Sequence, residues 1–87
     1  MVKYKSGEIG GKTYDVWLAD EKEMRELGKR WLKDEKFHEV ISWPLEDPGP
    51  GPDGVWRLGD VAVFEKAKNI EFLAEHGVKH LLGEHHE

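Results

Sequence analysis

Histidines are concentrated at the C-terminal end of this chain, where their spacing suits metal binding. Four of the five histidines fall within residues 76–87. His76 and His80 are four positions apart, so on a helix their side chains lie on one face, about one turn apart. Two imidazoles so placed can bind one ion at about 2.0–2.1 Å from each nitrogen. Gly83 can end the helix and turn the chain back, which lets His86 supply a third nitrogen.

Three histidine nitrogens around one ion leave a fourth position open for water, as in catalytic zinc sites. The sequence therefore predicts that His76, His80 and His86 bind one Zn2+, and another divalent transition metal such as nickel would also suit these ligands. An isolated histidine pair on a surface helix is usually solvated, and that alternative stays open. A zinc peptidase would carry glutamate directly after the first histidine, where this chain has Gly77. The pattern therefore argues against a peptidase.

The composition is typical of a small acidic domain. The formal net charge is −5, and the absence of cysteine excludes disulfides and thiolate ligands. This charge argues against a protein that grips nucleic acid over a wide surface, but it leaves room for a local basic patch. No N-terminal stretch resembles a signal peptide, and no apolar run could span a bilayer. We expect one soluble, cytoplasmic metal-binding domain over residues 1–87, with its oligomeric state open.

The first half of the chain predicts a hairpin followed by a helix. Two strands joined at Gly10-Gly11 are expected over residues 2–18, because two successive glycines favour a tight turn. Asp20 and Glu23 match an N-terminal capping box, which predicts a helix over residues 21–32. The polar face of this helix carries a basic stripe formed by Lys22, Arg25, Lys29 and Lys33. A solvated helix face among acidic neighbours is the alternative interpretation.

The second half alternates short strands with a loop and ends in a helix. Strands are expected at 38–43 and 61–64, separated by a loop rich in proline and glycine at 46–54. A second helix is expected from Glu65 to about Leu82, with Gly83 just beyond its end. Asn69, Phe72 and Leu73 lie one to two turns before the first histidine on the same side of this helix, where they could contact the metal ligands or form the pocket wall. Together these elements predict an α+β fold.

Three motifs occur in the order typical of one known family. The histidine string reads His76-Gly77-x-x-His80-Leu81-Leu82-Gly83-x-x-His86. Upstream lie the stretches Val40-Ile41-Ser42-Trp43-Pro44-Leu45 and Leu58-Gly59-Asp60-Val61-Ala62-Val63, preceded by Met24-Arg25-Glu26-Leu27-Gly28. Over residues 14–87 the chain resembles the YbeY family, the metal-dependent endoribonucleases of bacterial ribosomal RNA maturation. The resemblance implies a YbeY-like fold, with a small mixed sheet of about four strands packed against two main helices.

The resemblance also implies what this chain binds. RNA, in particular ribosomal RNA, is the expected partner, ribosomal proteins are further candidates, and no membrane is involved. The surface expected to face RNA is the basic stripe of Lys22, Arg25, Lys29 and Lys33. Trp56, expected in the loop before the second of the two strands, could stack a base. Ser42 is expected near the metal, and a hydroxyl that caps the end of its strand is the alternative.

One departure from the family bears on catalysis. The family's arginine, ten residues before the serine of its Ser-x-Pro motif, corresponds to Leu32 here. Phosphoryl transfer requires a cation to stabilise developing charge. Arg30 is therefore the catalytic candidate beside Ser42, with Lys33 and Arg57 as alternatives. We expect a zinc-dependent endoribonuclease-like hydrolase of the rRNA maturation type. The alternative is a non-catalytic minimal or designed domain in which the metal mainly stabilises the fold.

Overall fold

A computed structural model of the protein describes residues 1–44, 54 and 56–83. Its elements are β1 (Val2–Ile9), β2 (Lys12–Ala19), α1 (Glu21–Leu27), a π-helical turn (Gly28–Leu32), β3 (Val40–Pro44), β4 (Trp56–Phe64) and α2 (Ile70–Leu81). The strands lie in the order β1-β2-β4-β3, with β2 parallel to β4 and the other two pairs antiparallel. The predicted α+β fold, with a mixed four-stranded sheet and two main helices, is confirmed. Most of the predicted loop at 46–54 lies outside the described residues.

The hairpin and the start of α1 form as the sequence predicts. Gly10 and Gly11 both have positive φ, 59° and 79°, as a two-residue turn that matches the strand twist requires. The Asp20 carboxylate accepts a hydrogen bond from the Glu23 amide at 2.8 Å, and the Glu23 carboxylate accepts one from the Asp20 amide at 3.1 Å. This capping box satisfies amide donors that the first helical turn cannot pair.

The two helices cover opposite faces of the sheet. Side chains point alternately to the two faces along a strand, and the middle of β4 follows this rule. Val61 and Val63 pack with Ala74 of α2, whereas Ala62 packs with Met24 of α1. All five of these side chains are fully buried. The sheet therefore divides the core into an α1 face and an α2 face.

Both helices are shorter than predicted. The α-helical part of the first ends at Leu27, and the chain continues as the π-helical turn until Lys33 takes a left-handed conformation, with φ 59° and ψ 30°. The second helix begins at Ile70 instead of Glu65. Between β4 and α2 the Glu65 amide donates to the Ala19 carbonyl of β2 at 2.9 Å, and the Ala67 amide donates to the Phe64 carbonyl at 3.0 Å. The chain therefore forms a turn at the end of the sheet before α2 begins.

The last strand is longer than predicted. β4 begins at Trp56 instead of Val61, so the expectation that Trp56 lies in a loop is wrong. The pairing with β2 is irregular around Gly59, whose φ is 152°. A glycine that reads as a strand boundary in the sequence is therefore an irregularity within a continuous strand, because only glycine adopts this φ without strain.

Candidate functional site

His76 and His80 lie side by side on the last turns of α2. Their Nε2 atoms are 2.9 Å apart, and their rings meet edge to face with centroids 4.5 Å apart. His76 is half-buried and His80 is exposed. Gly83 follows the helix with φ 83°, as expected of a residue that ends a helix and redirects the chain. Residues 84–87, including the predicted ligand His86, lie outside the described residues.

Gly77 sets how closely this part of α2 approaches the sheet. A Cβ atom at this position would lie 2.5 Å from Cγ1 of Val61 and 3.3 Å from Cγ2 of Val40. The first distance is far too short for two carbon atoms, so only glycine permits the observed packing. The glycine between the two histidines therefore places their helix face directly beside β3 and β4. Sequence reasoning used Gly77 only to exclude a peptidase and missed this packing role.

A cavity of about 400 Å3 opens between this face of α2 and β3. Its polar groups include both imidazoles and the hydroxyl of Ser42, which is half-buried on β3. Its apolar wall consists of Leu32, Val40, Ile41, Pro44 and Leu81. The predicted site residues Ser42, His76 and His80 therefore meet at one cavity. The arrangement combines two imidazoles, a serine and apolar side chains around one open cavity.

The donor pair suits a transition-metal ion. Nitrogens that bind one ion tetrahedrally at 2.0–2.1 Å lie about 3.3–3.4 Å apart, so the observed 2.9 Å needs only a small rotation of the imidazoles. Both Nε2 atoms would then be unprotonated, with the ring protons at Nδ1. Within residues 1–44, 54 and 56–83, no group of three histidine, cysteine, aspartate or glutamate side chains could hold a metal. The three-histidine ligand set therefore stays a prediction.

Leu32 lines the histidine cavity, whereas Arg30, the candidate cation, does not. Leu32, at the end of the π-helical turn, lines the cavity and is 44% exposed. Arg30 is not among the residues that line it, and its Cζ lies 5.2 Å from the centre of the Trp31 ring. The structure therefore does not bring Arg30 to the histidine pair. Lys33 and Arg57 are exposed and do not line the cavity either.

The basic stripe lies on the outside of α1 and the turn that follows it. All four members are exposed, namely Lys22, Arg25, Lys29 and Lys33. Arg25 pairs with Glu21 at 3.6 Å, and its Cζ lies 5.6 Å from the centre of the Phe37 ring. Because the π-helical turn changes the helical spacing after Leu27, the stripe does not continue as a straight α-helical row.

The residues expected to surround the metal ligands divide between two places. The ring of Phe72 lies nearly parallel to that of His76, with centroids 6.5 Å apart and planes 17° apart. Asn69 and Leu73 line a different groove, together with Phe72 and residues before α2. None of the three lines the histidine cavity. Their expected place in the pocket wall is therefore wrong, whereas the other expectation, a place next to a ligand histidine, fits Phe72 beside His76.

Charged groups away from the cavity hold the elements together. The Glu71 carboxylate accepts hydrogen bonds from the Lys5 ammonium at 2.7 Å and the Tyr4 hydroxyl at 2.5 Å, and these bonds lower its pKa. They tie β1 to the first turn of α2. The Glu23 carboxylate accepts a hydrogen bond from the N-terminal amine at 2.6 Å, which likewise lowers its pKa. In the described part of the chain, neither helix is long and apolar enough to cross a membrane.

Comparison with known proteins extends the likeness to most of the chain. No protein-family model matches it. The endoribonuclease YbeY of Myxococcus xanthus is 33% identical over 94 residues, which cover 92% of this chain and 32% of that protein. YbeY of Rhodopseudomonas palustris is 31% identical over 94 residues, covering 92% of this chain and 50% of the relative. YbeY of Aquifex aeolicus is 32% identical over 85 residues, covering 83% and 55%.

The chain spans between about a third and somewhat over half of these curated relatives' lengths. The aligned part includes most of the sheet and helices described above, since it covers 83–92% of the chain. The resemblance indicated by the three sequence motifs is thereby confirmed. Over most of its length this chain is similar to YbeY proteins, and it matches only part of the length of each of these relatives.

Proposed function

We propose that this chain is a metal-dependent endoribonuclease of the ribosomal RNA maturation type, with one Zn2+ held by His76, His80 and His86. The observation that carries the proposal is the pair of Nε2 atoms, 2.9 Å apart, at the mouth of a cavity that also contains Ser42. The curated relatives are named endoribonucleases, which supports the same chemistry. Because the chain spans only part of their length, activity on RNA is proposed for it and is not inherited from them.

The residues of the site have distinct tasks in this proposal. A zinc ion, when bound, supplies a Lewis acid and lowers the pKa of water for attack on a phosphodiester. His76 and His80 hold it through neutral Nε2 atoms. The Ser42 hydroxyl can donate a hydrogen bond to a phosphate oxygen in the cavity. Apolar side chains line the rest of the cavity, and an electrostatic interaction is stronger beside them than in bulk water.

The wider assignment follows from the same proposal. The partner is RNA, ribosomal RNA in particular, with ribosomal proteins nearby, and the compartment is the cytoplasm. RNA approaches across the basic stripe, where Lys22, Lys29 and Lys33 make no ion pair within the described residues. We further propose that residues 1–87 act as one metal-binding domain.

RNA cleavage by zinc-loaded protein tests the enzyme assignment. Purified protein is incubated with structured and single-stranded RNA, and the products are resolved on a denaturing gel. We expect cleavage that disappears in His80→Ala and persists in His38→Ala, since His38 lies outside the cavity and bonds to Asp34 at 3.0 Å. Absence of cleavage with any divalent metal, or cleavage that survives His80→Ala, would contradict the proposal.

One observation favours a second candidate, a non-catalytic domain in which the metal mainly stabilises the fold. The alkyl side chain of Leu32 lines the cavity where phosphoryl chemistry calls for a cation. Leu32→Arg separates the two candidates, because its guanidinium would enter the same cavity. If the chain is an enzyme with a weakened centre, this variant should cleave RNA about 100- to 1000-fold faster, the range typical of a single electrostatic donor. If the domain is a scaffold, Leu32→Arg should remain as inactive as the wild type.

A further inference from the structure

Phe72 is an exposed aromatic side chain beside the histidine pair. It is 67% exposed, more than any other aromatic side chain among the described residues. Its ring lies one helical turn before His76 and nearly parallel to it, with planes 17° apart. A flat group stacked on Phe72 would therefore lie next to His76, one of the proposed metal ligands.

Phe72 separates two hollows on the surface of α2. One, of about 380 Å3, is lined by Phe72, Glu75, His76 and Lys79. The other is a groove of about 470 Å3 whose lining includes Phe37, Phe64, Lys66, Lys68 and Phe72. The ring thus stands between the histidine pair and a groove that combines aromatic and basic side chains.

The charges along this route favour an anionic chain. Lys66, Lys68 and Lys79 are exposed, and none of them makes an ion pair within the described residues. The acidic residues that line the two hollows are Glu39 and Glu75. The uncommitted lysines outnumber these carboxylates, in a chain whose net charge is −5. Local attraction of phosphate groups is therefore possible here without a basic surface overall.

The groove also continues toward the basic stripe. The guanidinium of Arg25 lies over the ring of Phe37, 5.6 Å from its centre, and Phe37 lines the groove. Lys22 and Lys66 line a common hollow at the start of α1, together with Asp20, Glu21 and Glu65. Because carboxylates outnumber lysines in that hollow, the groove meets the stripe through Arg25 and Phe37.

We propose that Phe72 is the stacking platform for a base of single-stranded RNA, whose backbone phosphates are held by Lys66 and Lys68 as the strand passes toward His76 and His80. An exposed ring suits this task, because every base offers a π face and stacking is tolerant of sequence. The identity of the nucleic acid rests on the proposed function. The site itself depends on stacking and charge, which can be measured without cleavage.

Binding of a short fluorescein-labelled oligouridylate, measured by fluorescence anisotropy with chelator present, tests the platform. Loss of one stacked base should weaken binding of Phe72→Leu by about 5- to 30-fold, while Phe72→Trp should bind at least as tightly as the wild type. Trp56→Leu is the comparison variant, since the sequence alone offers Trp56 as a stacking residue, whereas Trp56 is 44% exposed on β4 and lines neither hollow. Circular dichroism and melting curves establish that each variant is folded.

The salt dependence of the same binding tests the lysines. Each phosphate contact to a single strand contributes about 0.7 to the slope of log Kd against log salt, so Lys66→Ala/Lys68→Ala should lower this slope by about 1.4. Lys12→Ala/Lys36→Ala removes the same charge at exposed positions outside the groove. We expect this control to leave the slope nearly unchanged. Equal slopes in the two double variants would overturn the role assigned to Lys66 and Lys68.

The outcomes separate the platform from the enzyme assignment. If the wild type binds and cleaves RNA but Phe72→Leu binds equally well, the platform is overturned and the proposed function stands. If binding depends on Phe72 but zinc-loaded protein cleaves nothing, the platform stands and the endoribonuclease assignment fails. Wild-type protein that binds no oligouridylate overturns the platform, and the cleavage assay then decides the endoribonuclease assignment by itself. A loss confined to Trp56→Leu, or self-association that is abolished in Phe72→Leu, would overturn the platform.

Discussion

The two faces of the sheet use aromatic and charged residues in different ways. On the α1 face the rings of Trp31 and Trp43 stack on each other, with centroids 5.7 Å apart. The guanidiniums of Arg25 and Arg30 lie over aromatic rings at 5.6 and 5.2 Å. On the α2 face the groups with reactive chemistry meet at an open cavity instead. The two arginines on the α1 side therefore lie against aromatic rings, whereas the two imidazoles on the α2 side line a cavity.

The close packing of α2 against β4 explains much of this difference. Gly77 packs α2 directly against Val61 of β4, which fixes the helix that carries both imidazoles. A rigid element holds ligands in place better than a loop does. On the α1 side, the π-helical turn Gly28–Leu32 begins at the same distance from the N-cap as Gly77 lies from the N-cap of α2. Arg25 and Arg30 do not line the cavity. Close packing of α2 against the sheet, more than the number of charges, therefore decides where chemistry can occur.

The largest effect that we expect is on zinc affinity, when a histidine of α2 is replaced and compared with a histidine outside that helix. We expect His76→Ala to weaken zinc binding by more than about 100-fold, because a removed ligand costs at least as much as a removed partner of a ligand. His38→Ala, on the chain between α1 and β3, should change zinc affinity little. Isothermal titration calorimetry of protein without a histidine tag measures both. Equal losses in the two variants would remove the reason to assign the metal to α2.

Alanine at two glycines tests the importance of close packing. Gly77→Ala should lower the free energy of unfolding by about 1–3 kcal/mol, because the new methyl group overlaps Val61. Gly28→Ala should be neutral or stabilising by up to about 1 kcal/mol, since its Cβ would meet His38 at an ordinary 3.4 Å in a helical conformation. Urea unfolding curves compare the two. A neutral Gly77→Ala would mean that the approach of α2 is not constrained as described.

The N-cap of α1 should contribute more to stability than the N-cap of α2, which is the reverse of the order expected for the two glycines. Asp20→Ala removes the carboxylate that accepts the hydrogen bond from the Glu23 amide, and it should destabilise the protein by about 1 kcal/mol. Asn69 precedes α2 but makes no side-chain capping bond. Asn69→Ala should therefore change stability by less than about 0.5 kcal/mol. Thermal unfolding followed by circular dichroism is sufficient, and a larger effect of Asn69→Ala would contradict the capping difference.

Acid should weaken both faces slightly. The pKa values of Glu71 and Glu23 are lowered from the ordinary 4.5 by hydrogen bonds from the Lys5 ammonium and the N-terminal amine, respectively. A carboxyl whose folded pKa is depressed stabilises the fold fully above its unfolded pKa, and this contribution is lost as the pH falls through the folded value. Because both groups are solvent-exposed, the effect should be small.

Melting temperatures of metal-free protein, measured from neutral pH to below 4.5, test this prediction. Glu71→Gln and Glu23→Gln should each melt slightly lower than the wild type at neutral pH. The difference should shrink as the pH falls below 4.5, because the wild-type carboxyls become protonated. A difference that grows in acid would contradict the sign of these pKa shifts.

The sequence alone determined the features that depend on neighbouring residues. The Gly10-Gly11 turn, the Asp20–Glu23 capping box and the i, i+4 placement of His76 and His80 each involve residues at most a few positions apart. Such interactions are encoded in spacing, so pattern reasoning found them. The order of motifs along the chain also sufficed to indicate the relationship with YbeY.

Only the tertiary structure decided the features that depend on distant residues. The Glu65 amide bonds to the Ala19 carbonyl, which is far away in sequence, and α2 begins only at Ile70. Leu32, at the end of the π-helical turn, lines the histidine cavity and Arg30 does not. Phe72 faces a groove built from residues before α2 and not the cavity of the histidines. Spacing along the chain cannot specify these outcomes, since each is set by packing between elements that the sheet brings together.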